Sequence, residues 1–117
     1  MIWNVTQVAL GGAIGSVLRY LTVSAISAPL GTFLVNVAGS FVMGILFVVL
    51  SSRPALSPLL MTGILGGFTT FSAFSLDALK LWHSGQTPAA LAYIAGSVLL
   101  SLVAIALGAA LARGAFA

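Results

Sequence analysis

Between about Leu59 and Trp82 runs an apolar segment long enough to cross a bilayer, for which about 20 residues suffice. Its middle reads Gly63-Ile64-Leu65-Gly66-Gly67-Phe68-Thr69-Thr70-Phe71-Ser72-Ala73-Phe74. Two adjacent glycines each cost about 1 kcal/mol relative to Ala in a helix interior, and the two threonines after them lose side-chain freedom there. The stretch Gly66 to Thr70 is therefore expected to break the helix at mid-membrane depth. Lipid offers no partner to the backbone groups so freed, and they must meet protein, water or an ion. A break at that depth lines a cavity or a site.

Charge decides whether a bilayer surrounds this run. Of 117 residues, 61% are hydrophobic and 4% charged. A soluble domain this small exposes too much area to leave it so bare. The chain reads as an all-α integral membrane protein, with residues 1–117 as one domain. Its basic residues, Arg19, Arg53, Lys80 and Arg113, are scattered, which excludes a nucleic-acid interface. The absence of cysteine excludes disulfides and thiol chemistry. One Asp and one His near helix ends offer no nucleophile and base pair, so no enzyme is expected.

Four transmembrane helices account for nearly the whole chain. The first runs from about Trp3 to Ser27, and Met1-Ile2-Trp3-Asn4-Val5 lacks the basic region of a signal peptide, so this segment is expected to stay in the mature protein. Its Gly11 and Gly15 have the spacing that lets another backbone approach closely. After the turn Ala28-Pro29-Leu30-Gly31, the second runs from about Thr32 to Leu50. Ser57-Pro58 is read as N-cap and first helical residue of the third, and His83-Ser84-Gly85 as its stop. Thr87-Pro88 repeats the opening device for the fourth, which reaches about Ala112.

Four crossings place Arg53 and Arg113 on one side of the membrane and Lys80 with Arg19 on the other. Two basic residues facing two leave almost no orientation signal, because Lys and Arg bias sets topology. Insertion in both directions is expected, giving an antiparallel homodimer whose twofold axis lies in the membrane plane. Only mid-depth residues can then meet their counterparts on that axis.

Thr32, Asn36 and Ser40 share one face of the second helix; Tyr93, Ser97 and Ser101 share one face of the fourth. Either stripe alone is accounted for by interhelical hydrogen bonding. Together with Thr69, Thr70 and Ser72 they could form a continuous polar lining. Phe71 and Phe74 share a face if the helix resumes after the break, and ring edges carry the partial positive charge that can meet an anion. Arg19 is open to two readings, a snorkelling side chain at a helix end or a collector of anions at a pore mouth. Asp77 and Lys80 are spaced to pair on one helix.

Three runs carry a resemblance: Gly12-Ala13-Ile14-Gly15-Ser16-Val17-Leu18-Arg19-Tyr20, Gly31-Thr32-Phe33-Leu34-Val35-Asn36-Val37-Ala38-Gly39-Ser40-Phe41, and Gly66-Gly67-Phe68-Thr69-Thr70-Phe71-Ser72-Ala73-Phe74. In order and in segment count the chain resembles the bacterial Fluc (CrcB) family of fluoride channels. The resemblance implies a dual-topology homodimer in the bacterial inner membrane, with two antiparallel fluoride pores and a structural sodium ion at its centre. It makes Phe71 and Phe74 the pore phenylalanines and Asn36 the pore asparagine. Tyr93, Ser97 and Ser101 match a polar track, with Thr32 and Ser72 beside it, and Arg19 matches a vestibule arginine. The backbone carbonyls of Gly66 and Thr69 match sodium ligands. Ala73 departs from the family's usual threonine, so no fluoride contact carries over to it. Two rivals are a small dual-topology drug exporter, which would want a mid-membrane acid that is absent, and a membrane assembly subunit without transport of its own.

Overall fold

The computed structural model describes residues 1–116. Helix α1 spans Ile2–Ile26 and α2 Leu30–Val49; two short 3₁₀ turns, Leu50–Ser52 and Pro54–Leu56, lead into a π-helical segment, Pro58–Leu65. The third crossing continues through α3 (Gly66–Phe68), stops, and resumes as α4 (Phe71–His83), before α5 (Thr87–Phe116). Four stretches are long and apolar enough to cross a membrane: Ile2–Ile26, Leu30–Ser52, Pro54–His83 and Thr87–Gly114.

Helix α2 begins two residues before the expected Thr32. Pro29 already holds helical backbone angles, which start the helix at once. Ser57 does not cap: its own backbone is helical, φ −59 and ψ −42, and its side chain makes no cap hydrogen bond, because the 3₁₀ turns deliver the chain already wound. The stop after His83 is as expected, with Gly85 at φ 81, where a Cβ would be strained. At the other end of the bundle, Gln7 ties α1 to the turn before the π-helical segment. With its amide oriented to satisfy both neighbours, Trp3 Nε1–H donates to its oxygen at 2.6 Å and its nitrogen donates to the Ala55 carbonyl at 3.2 Å.

Glycines set the packing. Helix α1 lies parallel against the third crossing, and a Cβ on Gly11 would lie 2.8 Å from Gly63 Cα, while one on Gly15 would overlap the Ile64 carbonyl. The close approach expected of Gly11 and Gly15 is thus made. Helices α2 and α5 run parallel in the same manner: a Cβ on Gly44 would overlap the Ile105 carbonyl, and one on Gly108 the Phe41 carbonyl. Without a hydrophobic drive between helices in lipid, such backbone contact is what dispersion needs.

The helix break is where the expectation needs correcting. Gly66 is helical, φ −61 and ψ −37, whereas Thr69 and Thr70 are extended, φ −89 and −152. The interruption is two threonines and excludes the glycines. Gly67 has a packing reason instead, since a Cβ there would come 2.7 Å from the Gly12 carbonyl. The β-branched pair after it favours extended backbone.

Candidate functional site

An unbroken helix would carry Thr70 N–H to the Gly66 carbonyl, Phe71 N–H to Gly67 and Ala73 N–H to Thr69. Three of these six groups find other partners. Thr70 N–H donates to Asn36 Oδ1 at 2.7 Å, and Asn36 Nδ2 donates back to the Thr70 carbonyl at 2.9 Å. Ala73 N–H donates to Thr70 Oγ1 at 3.1 Å, making Thr70 the N-cap of α4. The Gly67 carbonyl accepts from Arg19 Nε at 3.0 Å. Among the described residues, no N–H or side-chain donor reaches the Gly66 or Thr69 carbonyl. Unpaired oxygens at this depth are the donor set a hard cation such as sodium takes, so the two residues named from the resemblance fit that group.

Beside the break opens a groove of about 340 Å³. Asn36, Ser40, Thr69 and Thr70 line one side and Ser97 and Ser101 the other, with Gly39, Met43, Val98, Leu102 and Ile105 supplying apolar wall. No charged side chain lines it among the described residues. Phe74 is buried and Phe71 is 75% exposed; their ring centroids stand 5.4 Å apart at 58°. Ser97 is buried and its Oγ has no partner within the chain. A buried hydroxyl left so is costly unless something else meets it. Helix α4 starts at this groove, adding its positive end and first free N–H groups.

Other expected residues lie elsewhere. Thr32 is buried and lines a second cavity, about 240 Å³, with Arg19, Tyr20, Val23, Ser24, Thr70 and Ala73. Thr70 is the residue common to both cavities. Ser72 is exposed, its Oγ 3.4 Å from Thr70 Oγ1. Tyr93 does not line the groove: its ring packs on Phe74 at 5.3 Å and its hydroxyl donates to Asp77 Oδ2 at 3.1 Å. Asp77 is accordingly buried against α5, and the expected pairing with Lys80 gives way to this contact while Lys80 stays exposed. Asp77 and Tyr93 stand equally far from Gly85, the turn of the α4–α5 hairpin, and that symmetry is the signal that spacing along one helix overlooks.

Fold and site together define a multi-pass, all-helical membrane protein whose third crossing is interrupted beside an uncharged groove. A family model described as CrcB-like protein, Camphor Resistance (CrcB), matches residues 6–109. The proteins named fluoride-specific ion channel FluC are similar throughout. That of Cereibacter sphaeroides is 52% identical, covering 97% of this chain and 98% of its own. That of Paracoccus denitrificans is 50% identical over 95% of both, and that of Rhizobium meliloti 48% over 94% and 96%. The chain belongs to the CrcB family.

Proposed function

We propose that this chain is a passive, fluoride-selective channel of the bacterial inner membrane, working as an antiparallel homodimer. The observation that carries the reading is the groove itself, which gathers hydroxyls, one unpartnered, an amide, a helix N-terminus and two phenylalanine rings without a fixed charge. Fluoride is small and strongly hydrated, so a conducting path must replace its water with donors and stay too narrow for chloride. Asn36 keeps one Nδ2 hydrogen beyond its bond to Thr70. Ser97 and Ser101 can donate from the opposite wall, and Phe71 and Phe74 can offer ring edges.

Hydrogen fluoride enters as a neutral acid and releases its anion inside, and a potential negative inside favours anion exit by about 2.3 kcal/mol per charge per 100 mV. No coupled pump is then required, and the channel relieves fluoride toxicity. Asp77, the acid an exporter would recruit, lies about 9 Å along α4 from the break at 1.5 Å per residue and is held by Tyr93 outside the groove. The exposure of Phe71 in one copy fits a groove that a second copy completes. On the shared axis, the Gly66 and Thr69 carbonyls of both copies would hold a structural sodium ion, whose charge would satisfy oxygens that the break leaves unpaired.

Two experiments test this. In sealed vesicles, Phe74→Ile should lower fluoride efflux by at least about tenfold while the dimer persists, since a ring edge is replaced by an apolar branch of similar bulk. Wild-type efflux from that variant would leave Phe74 a packing residue. The chain has no cysteine, so Gln86→Cys in the exposed α4–α5 turn is a unique label. Dual topology predicts that an impermeant reagent added to one side of intact membranes reaches about half the copies. Labelling of all copies or none would refute the antiparallel dimer.

A further inference from the structure

Arg19 makes a contact that its reading as an anion collector leaves unused. Its Nε–H, the inner nitrogen of the guanidinium, donates to the Gly67 carbonyl at 3.0 Å, across 48 residues of sequence. That carbonyl is one the break deprives of its helical donor, and it lies at the negative end of the helix that runs through Gly66–Phe68. On the far side of the interruption, Asn36 grips both backbone groups of Thr70. We propose that Arg19 is a positioning residue: with Asn36 it clamps the interruption from α1 and α2, so the placement of Phe71 and Phe74 depends on the Nε–H donor rather than on the arginine's charge. The inference concerns the same site as the proposed channel and rests on that reading only for its flux readout.

Chemistry separates donor from charge. Arg19→Gln places an amide nitrogen at the position of Nε and removes the charge. Arg19→Lys keeps the charge and puts a methylene where Nε stood, so its ammonium must fold back to reach Gly67. A residue that acts through its field would be mimicked by Lys and lost with Gln; a tether reverses that order. The purified dimers should be compared by backbone amide exchange over the peptide containing Gly66–Phe74, where Thr70 and Ala73 N–H report the clamp. Arg19→Lys should exchange about tenfold faster than wild type and Arg19→Gln within about threefold of it, as a charge-assisted bond is lost or replaced by a neutral one. In vesicles, Arg19→Lys should conduct fluoride poorly at every ionic strength. The deficit of Arg19→Gln should shrink toward none as salt approaches about 1 M, where the Debye length is about 3 Å.

Wild-type protection in Arg19→Lys, or faster exchange in Arg19→Gln than in Arg19→Lys, would overturn the tether. A wild-type protein that carries no fluoride would defeat the proposed channel, and the exchange order would still decide the tether. If Arg19→Lys yields no dimer while Arg19→Gln folds, the tether stands; the opposite outcome would overturn it.

Discussion

Replacing Asn36 by Leu should abolish fluoride passage and lower the yield of folded dimer. Leu has the branching of Asn at Cγ but offers neither of the bonds that hold Thr70, at 2.7 and 2.9 Å. Both backbone groups of Thr70 would then be unpaired near the middle of the Pro54–His83 span, where lipid supplies no substitute. Each orphaned group costs about 1–3 kcal/mol, so the pair takes a large share of the roughly 5–15 kcal/mol that keeps a typical domain folded. Asn36→Asp is the informative companion. It keeps the acceptor for Thr70 N–H, loses the donor to the Thr70 carbonyl, and sets a negative charge beside the groove. It should fold better than the Leu variant and still pass little fluoride. Size exclusion and vesicle efflux check both; a conducting Leu variant would show that the interruption does not depend on this side chain.

Gly15→Val should fail earlier, before any site forms. Its Cβ would overlap the Ile64 carbonyl and lie 2.9 Å from Phe68 N, both of them backbone that cannot rotate away. Relief requires α1 to lift from the third crossing, which also withdraws Arg19 from Gly67. Overpacking of this kind costs about 3 kcal/mol or more, and little folded protein should be recovered. Gly12→Ala is the control, since a Cβ there meets nothing within 4 Å in one copy. It should raise or leave unchanged the thermal midpoint, as Ala is the better helix former by about 1 kcal/mol. A midpoint lowered as far as that of Gly15→Val would show that a second copy presses on that face.

Much of the fold was legible because lipid narrows the choices. Apolar runs of sufficient length, the Gly85 stop and the Gly11–Gly15 spacing each follow from local chemistry and are all present in the structure. The break was legible in place but not in cause. Gly66 and Gly67 looked like the weak point, yet Gly67 is small so that α1 can approach, and two threonines interrupt the helix. The stripe of Asn36 and Ser40 and that of Ser97 and Ser101 do face a common groove, as helical spacing suggested. Tyr93, on the second stripe, instead turns to Asp77, because a buried carboxylate draws the nearest hydroxyl across a hairpin. Local spacing favoured Lys80 for that partner; burial decided otherwise. The contact of Arg19 with Gly67 joins residues distant in sequence, and no periodicity announces it.

The central claim is an uncharged passage that accepts fluoride and rejects chloride. It is tested most directly with one preparation of purified protein in sealed vesicles, loaded in parallel with each halide and followed by ion-selective electrodes. The prediction is rapid fluoride loss with chloride retained as in protein-free vesicles. Equal release of the two ions, or retention of both, would contradict it.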